Sequence, residues 1–261
     1  MNKLGFIIPV YNHGSTVEAV VQSLLQFSLP IILVDDGNDE KNKALILKCT
    51  QKHSEVSLVS YKKNRGKGVA MKAGVLKAQE LGLTHVFQLD ADGQHDVNAC
   101  RTFIAESEKN PSALINGYPQ YDSSVPSARK SGREFSNIWA RIVSLNPSPK
   151  DVLCGFRIYP VAPYIKLIKR HAYLNHRMGY DADILVHFLW LGTEIVNRPV
   201  NVSYPKDGFS NFRIFRDNFG ISVTFARLFV GMIIRLPKLI FLAIKRNASK
   251  SQQKVSPTAA M

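Results

Sequence analysis

Two aspartates separated by a single residue are the strongest chemical signal in the chain. Asp90 and Asp92 lie in the sequence Asp-Ala-Asp-Gly-Gln-His, directly after the apolar run 84–89. Two carboxylates this close repel each other unless a cation or a proton lies between them. Carboxylate and amide oxygens suit Mg²⁺ or Mn²⁺, which in proteins usually bind few carboxylates together with substrate phosphates. The pattern indicates a metal–diphosphate site, and the alternative is an ordinary acidic turn.

Polar clusters also follow three other apolar runs. Strands are predicted at residues 4–10, 31–34, 56–61 and 86–89, with helices at 15–27, 40–53 and 66–81 between them. Buried strands separated by helices form a parallel sheet through right-handed crossovers, and such sheets bind ligands at the carboxyl ends of their strands. The four ends carry Tyr11 and Asn12, Asp35 and Asp36, residues 64–68, and residues 90–95. This convergence favours a functional site over an acidic turn.

The second half of the chain is less regular. Helices are expected at 96–109, 129–145 and 180–191, and short strands at 113–116, 152–159 and 194–202. We therefore expect an α/β domain over residues 1–213, with a mixed, mostly parallel sheet flanked by helices. In the helix at 66–81, the predicted buried stripe is Val69, Ala73 and Leu76. The polar residues 247–261 predict a disordered tail.

Composition and charge bound the partners. The chain has 261 residues, of which 45% are hydrophobic, as in an ordinary globular protein. Its net charge of +14 predicts an anionic partner. The three cysteines show neither paired nor metal-binding spacing, which is typical of a reduced, cytosolic protein. No base-reading motif is present in the sequence, so nucleic acid is a weak candidate.

Half of the net charge lies within residues 206–250, where nine Lys and Arg stand against two Asp. Cations interrupt the apolar segment 221–244, which disfavours a transmembrane span. At 100° per residue, Arg216, Arg227, Arg235 and Lys238 lie on one side and apolar residues cover the rest. This predicts helices over 214–246, broken at Gly231 and Pro237, that lie on anionic lipids with their cations toward the headgroups. The alternative is a pair of terminal helices packed on the core.

Four motifs occur in a fixed order: Ile-Ile-Pro-Val-Tyr-Asn at 7–12, Val-Asp-Asp-Gly at 34–37, Asn-Arg-Gly-Lys-Gly at 64–68 and the acidic motif at 90–95. In order and spacing they resemble family 2 glycosyltransferases, in particular the polyprenyl-phosphate mannose and glucose synthases. Segments 154–157 and 180–185 are similar to later motifs of that branch. Segment 204–213 looks closest to bacterial members associated with membrane-lipid or aryl-polyene gene sets. The resemblance covers roughly residues 3–240.

The resemblance implies a glycosyltransferase A-type fold, a UDP- or GDP-hexose donor, a divalent metal and inversion at the anomeric carbon. By position, it implies that Asp90, Asp92 and Gln94 hold the metal. Arg65 and Lys67 lie in a Gly-rich turn before a helix, where backbone amides favour an anion, although cations in such a turn can equally be solvated. The candidate nucleotide-sugar-binding residues are Pro9, Tyr11, Asn12, Asp35, Asp36, Arg65, Lys67, Asp90, Ala91 and Asp92.

The acceptor side departs from the resembled branch. That branch carries an Arg soon after the fifth strand, where this chain reads Gly-Tyr-Pro-Gln at 117–120. Candidates to bind the acceptor, the arginines through bidentate contacts to a phosphate, are Arg129, Arg133, Arg157, Ser210 and Arg213. A hydroxyl acceptor needs a general base instead, and Asp181 and Asp183 at the start of a helix are the candidates. The alternative for this pair is a favourable interaction with the helix dipole.

Together with these observations, the resemblance implies an inverting, metal-dependent hexosyltransferase, peripheral on the inner face of the cytoplasmic membrane, that acts on a polyprenyl phosphate or a glycolipid hydroxyl. Two alternatives stay open: a nucleotidyltransferase that makes the nucleotide sugar, and a membrane-surface binding protein with a decayed site. The first class usually has a Gly-rich loop after its first strand, which residues 9–14 lack. The intact acidic motif argues against the second.

Overall fold

One mixed sheet organises the described part of the chain. The computed structural model describes residues 2–120, 127–170, 173–202 and 214–255. Within these ranges the sheet has seven strands, in the order β3-β2-β1-β4-β6-β5-β7. β6 is antiparallel to both of its neighbours, whereas the other pairs are parallel, which confirms the predicted fold class. The strands are β1 Leu4–Val10, β2 Ile31–Asp35, β3 Val56–Ser60, β4 His85–Gln88, β5 Leu114–Gln120, β6 Arg157–Pro160 and β7 Ile195–Asn201.

Helices cover both faces of this sheet. Ile7 of β1 packs in a core with residues of α3 and α5 to α8, whereas its neighbours Phe6 and Ile8 pack in a second core with α1, α2 and α4. Successive strand residues point to opposite faces, so each face has its own core. The α-helices in the described ranges are α1 Gly14–Leu24, α2 Glu40–Lys52, α3 Lys67–Glu80, α4 Cys100–Lys109, α5 Ser127–Ser144, α6 Val161–Lys169, α7 Tyr180–Leu191 and α8 Ile214–Val255.

The predicted strand over 152–159 is wrong for most of its length. Only β6, Arg157–Pro160, is extended and paired, and residues 152–156 form a loop. Asp151 explains the loop, because its Oδ1 accepts the backbone N–H groups of Leu153 (2.9 Å) and Cys154 (2.7 Å). A side chain that binds nearby amides competes with strand pairing for them.

Helix α3 buries a different stripe from the one predicted. Leu76 is 43% exposed, whereas Met71 and Val75 are fully buried. The smallest residues determine this orientation, since a Cβ added at Gly74 would lie 2.6 Å from Cγ2 of Ile7 in β1. The helix therefore approaches the sheet through its small residues. The hydrophobic pattern, which follows the large apolar side chains, does not predict this orientation.

Helix α8 is continuous, although the sequence predicts breaks at Gly231 and Pro237. It has 42 residues, contains Pro237 and continues to Val255, past the predicted start of the tail at 247. An internal proline costs roughly 3 kcal/mol. Met232 and Leu239 lie on either side of it and are both buried against the core, and burial of each contributes about 1.5–3 kcal/mol. Packing on both sides thus outweighs the break.

Three of the four cations that the amphipathic pattern places outward on α8 contact the protein instead. Arg227 pairs with Asp183, the Arg235 guanidinium lies 4.5 Å from the centre of the Trp190 ring, and Lys238 Nζ donates to the Trp190 carbonyl (2.6 Å). The outward side of α8 is apolar instead. Its exposed large side chains are Phe219, Val223, Phe229, Val230, Ile233, Ile234, Leu236, Ile240, Phe241 and Ile244. In the described ranges, no helix combines the length and the apolarity needed to cross a bilayer.

The buried stripe that the structure shows for α3 and the stripe that the sequence predicts lead to opposite expectations for the stability of two variants. We expect Met71→Ala to lower the free energy of unfolding by about 2–5 kcal/mol, because it opens a cavity in the core. Leu76→Ala, four-tenths exposed on the same helix, should change it by less than about 0.5 kcal/mol. Urea denaturation followed by circular dichroism measures both. A larger loss at Leu76 than at Met71 would contradict the observed orientation of α3.

Candidate active site

The carboxyl ends of β1, β2 and β4 bring the predicted clusters together. The loop after β1 is tied to the loop after β2, since Asn38 donates to the Val10 carbonyl (2.8 Å) and its Oδ1 accepts the Asn12 amide (2.7 Å). Helix α1, which follows this loop, is tied to the acidic motif, because Thr16 Oγ1 donates to the Ala91 carbonyl (2.5 Å). The parallel register that pairs β1 with β2 and β4 thus places these residues at one edge.

Asp35 and Asp36 build this edge from beneath. They are 1% and 2% exposed. Asp35 accepts hydrogen bonds from Asn38 and Ser60 (both 2.7 Å), and Asp36 accepts from the amides of Arg65 and Gly66 (both 2.8 Å). Burial raises the pKa of Asp36, and those amides oppose the rise. Both carboxylates therefore shape the loops. A carboxylate oxygen that accepts one hydrogen bond can accept another through its second lone pair, and direct contact of Asp35 or Asp36 with a nucleotide stays a prediction.

Lys67 lies at the centre of the site. Its Nζ is 2.7 Å from Asp90 Oδ1 and 2.8 Å from Asp181 Oδ2. Burial on its own would lower the pKa of Lys67, but the charges of Asp181 and Asp90 outweigh it and the pKa is raised. The ammonium therefore stays charged, and it joins the start of α3 to the end of β4 and the start of α7.

Asp90 and Asp92 have opposite pKa shifts. Burial would raise the pKa of Asp90, but the neighbouring Lys67 charge outweighs burial and lowers it. The pKa of Asp92 is raised, first by burial and then by the charge of Asp90. Asp92 Oδ1 accepts the Gln94 amide (3.0 Å), which holds the two carboxylates in one short loop.

These residues fit the implied divalent metal. The donor set of two carboxylates and the Gln94 side-chain amide consists of hard oxygens, as Mg²⁺ and Mn²⁺ prefer. Burial and, after it, the charge of Asp90 raise the pKa of Asp92, and a bound cation would relieve the repulsion between the two carboxylates. In the described ranges, one other trio could hold a metal: Glu18, Cys49 and His53, between α1 and α2. The Glu18 carboxylate in that trio is already paired with Lys52 (2.5 Å).

Asp181 contacts Lys67 in this site, two buried polar residues support its carboxylate, and its role as a general base stays a prediction. Its Oδ1 accepts from Gln88 Nε2 (2.8 Å), and Gln88 Oε1 accepts from the Tyr159 hydroxyl (3.2 Å). Gln88 and Tyr159 are fully buried. Neither residue was predicted for the site, although a glutamine inside the apolar run 84–89 was a signal of it.

Asp183 does not face the site, which corrects its prediction as a general base. It is completely buried, and its Oδ2 accepts from the Asn175 amide and from Arg227 of α8 (both 2.5 Å). Two residues apart on a helix are about 200° apart around the axis. Asp181 and Asp183 therefore point to opposite sides of α7, and Asp183 is engaged away from Lys67.

Gly155 closes over the charged centre. A Cβ at this position would lie 2.6 Å from Asp90 Oδ2 and 2.8 Å from Lys67 Nζ. Its loop is held by Arg133, which donates to both oxygens of Asp151 (2.9 and 2.8 Å). Arg133 thus has a positioning role in the loop, and its predicted contact with the acceptor stays a prediction. Gly155 was part of a recognised motif but was not predicted as a site residue.

Arg157 corrects another acceptor prediction. It is completely buried, and its guanidinium donates to the backbone carbonyls of Asp181 (2.5 Å) and Asp151 (3.5 Å). A cation without solvent exposure beneath the site cannot bind an acceptor phosphate that arrives from solvent. For the other acceptor candidates, Ser210 and Arg213 lie outside the described residues, and only the backbone of Arg129, in α5, is described.

Comparisons with known proteins identify the family of the chain. The sequence model of Glycosyl transferase family 2 matches residues 6–173. A dolichyl-phosphate beta-glucosyltransferase of Dictyostelium discoideum is 28% identical over 60% of this chain and 53% of its own length. One of Trichomonas vaginalis is 25% identical over 76% of this chain and 64% of its own length. The chain thus spans between half and two thirds of these relatives.

Solved structures confirm the glycosyltransferase A-type fold. Glucosyl-3-phosphoglycerate synthase from Mycobacterium tuberculosis, in complex with Mn²⁺, UDP-glucose and phosphoglyceric acid, superposes with a TM-score of 0.65 and 12% identity over 87% of this chain and 79% of that one. Mannosyl-3-phosphoglycerate synthase from Rubrobacter xylanophilus gives 0.61 and 13% over 91% and 75%. With a family match over more than half of its residues, the chain belongs to glycosyl transferase family 2.

Proposed function

We propose that this protein is an inverting, metal-dependent glycosyltransferase that moves a hexose from a nucleotide-diphosphate sugar to a lipid-linked acceptor at the inner face of the cytoplasmic membrane. The observation that carries the proposal is the Lys67 ammonium between Asp90 and Asp181, beside Asp92, at the carboxyl ends of the strands. The family match and the dolichyl-phosphate transferases among the relatives support the reaction class.

Charge stabilisation is the chemistry that these residues offer. When the glycosidic bond breaks, negative charge develops on the departing diphosphate. A divalent cation bound by Asp90, Asp92 and Gln94 would act there as a Lewis acid, typically contributing several kcal/mol. Lys67 adds a fixed positive charge that is already oriented by Asp181, so little reorganisation is needed during the reaction. Arg65, which is exposed and lies over the Tyr61 ring (5.3 Å), is a further cation beside this loop.

The acceptor is better explained as a phosphate than as a hydroxyl. A hydroxyl requires a general base, and with Asp183 buried, Asp181 is the remaining candidate. Its two oxygens are engaged by Lys67 and Gln88, so Asp181 is placed to orient Lys67 rather than to take a proton. An ionised phosphate is already a nucleophile and needs no base. The names of the dolichyl-phosphate transferases support the same choice.

The outward side of α8 supports a lipid surface as the place of reaction. Ile234 is 73% exposed, Phe241 65% and Ile244 64%. Helix α5 packs beside α8 through Trp139 and Phe229, whose ring centres are 6.4 Å apart, and it exposes Phe135, Ile138 and Ile142. A continuous exposed apolar strip of this kind is typical of interfacial helices.

Metal-dependent donor binding tests the reaction class. We expect uridine or guanosine diphosphate to raise the thermal midpoint of the protein when Mn²⁺ or Mg²⁺ is present, because a ligand that binds the folded state stabilises that state. Without the metal we expect no shift, because the diphosphate then lacks the cation that Asp90 and Asp92 would hold. Asp92→Ala should remove this shift and the metal-dependent cleavage of the matching nucleotide sugar. Undiminished turnover in Asp92→Ala would reject the metal role of the acidic motif.

The contact of Gly155 with the charged centre can be tested with a matched glycine. Gly155→Ala places a Cβ against Asp90 and Lys67, and a displacement of about 1 Å costs roughly a hundredfold in rate. Gly132→Ala, in helix α5 with no atom within 4 Å of the added Cβ, should keep the wild-type rate and stabilise the fold by up to about 1 kcal/mol. Steady-state donor turnover and thermal unfolding measure both, and equal turnover in the two variants would contradict the geometry.

Vesicle binding tests the proposed location. We expect the double variant Ile234→Asp, Phe241→Asp to co-sediment less with anionic phospholipid vesicles than the wild type, because charge on the outward side of α8 opposes insertion. Leu47→Asp, on α2 and 41% exposed, should bind as the wild type does. If the double variant sediments fully while remaining folded, this side of α8 is not the lipid-binding surface.

A further inference from the structure

A buried charge of α7, that of Asp183, ties helix α8 to the site-bearing part of the fold. Asp183 of α7 is completely buried, and its Oδ2 is held from two directions, by Arg227 of α8 and by the Asn175 amide. Its Oδ1 has no hydrogen bond, although His187 Nδ1 lies 3.2 Å away and binds the Asp183 carbonyl instead. A buried carboxylate is costly without a cation and full hydrogen bonding, so Arg227 is the main compensation shown for its charge.

Arg227 also holds the segment 173–179 in front of α7. It donates to the Tyr173 carbonyl (2.9 Å), and its guanidinium lies 4.6 Å from the centre of the Tyr173 ring. Asn175 joins the same contact from the other side, because its Nδ2 donates to Thr224 Oγ1 of α8 (2.8 Å). One side of α8, through Arg227 and Thr224, thus fixes both α7 and the segment that leads into it.

This attachment continues to the charged centre by two routes. Along α7, Asp183 is two residues from Asp181, which holds Lys67. Along the segment, the His176 carbonyl accepts the Gly68 amide (2.9 Å), and a Cβ at Gly66 would lie 2.1 Å from the same oxygen. The turn that carries Lys67 is therefore packed directly on residues that Arg227 and Asn175 hold.

We propose that Arg227 is a positioning residue, which through Asp183 and the segment 173–179 fixes Asp181 and Lys67 and so makes the geometry of the active site depend on the seating of α8. The helix whose outward side is proposed to rest on lipid has its inward side in contact with α7 and with the segment 173–179, on which the turn that carries Lys67 packs. The catalytic consequence rests on the proposed function, whereas the structural coupling does not.

Hydrogen exchange tests the coupling without any substrate. In Arg227→Met, we expect the amides of Asn175 and Gly68 to exchange roughly tenfold faster or more, since their acceptors lose support. Both tryptophans, Trp139 and Trp190, pack against α8, so unchanged tryptophan emission reports that α8 is still docked. Arg246→Met is the matched control, because Arg246 lies on the same helix and binds the Leu145 carbonyl instead (3.0 Å).

A second variant separates the loss of positioning by Arg227 from the effect of leaving the Asp183 charge unpaired. Arg227→Met leaves Asp183 buried and unpaired, and this can unfold the protein. The double variant Asp183→Asn, Arg227→Met removes both charges and should fold, while still lacking the link to α8. Arg227→Lys keeps the charge but loses the planar fork that reaches two acceptors, so it should restore the wild-type behaviour only in part.

Kinetics with a nucleotide-sugar donor, UDP-glucose first, complete the test. We expect Arg227→Met and the double variant to lower kcat by roughly tenfold to a hundredfold with the donor KM nearly unchanged, as for a displaced catalytic group. A folded double variant with wild-type exchange at Gly68 or with wild-type kcat would overturn the proposal. If the wild type cleaves no donor, the proposed function fails, and the exchange at Gly68 decides the coupling on its own.

Discussion

The ion bridge of Lys67 to Asp90 and Asp181 is the interaction on which the rest of the site depends. It joins the start of α3, the end of β4 and the start of α7, segments that are far apart in the chain. Partly buried charges are costly unless they are paired. Here one cation faces two carboxylates with Asp92 close by, so the centre keeps an excess of negative charge. A site with this excess is prepared for a further cation, and the surrounding loops are built to hold it in place.

The sheet and the place of the site could be predicted from the sequence, because both depend on local patterns. Apolar runs of strand length alternate with helical patterns, and parallel crossovers place every strand end at the same edge. The common geometry of such an edge brings Asn12, Asp36, Lys67 and Asp90 together without knowledge of any long-range contact. The family match over residues 6–173 is consistent with the same four clusters.

The direction of individual side chains is what the sequence alone could not supply. Asp181 and Asp183 differ by about 200° around α7, which shows that they diverge but not which of them meets Lys67, 114 residues away. Because Arg157 is charged, a hydrophobicity scale predicts that it is exposed to solvent. It is buried, and the backbone carbonyls of Asp151 and Asp181 offset the cost by accepting its hydrogen bonds. The orientation of α3 depends on close approach at Gly74, which is a matter of shape rather than hydrophobicity.

The reversed direction of β6 has a consequence for how this fold can change. Arg157, the first residue of β6, pairs with Gln88, the last of β4, so the chain enters β6 at the edge where the parallel strands end. The residues over Asp90 and Lys67 are therefore delivered by the loop between α5 and β6, which enters the sheet at this edge. Such a connection can be lengthened or replaced without re-threading the sheet, which makes residues 151–156 a natural place for new substrate preferences to evolve.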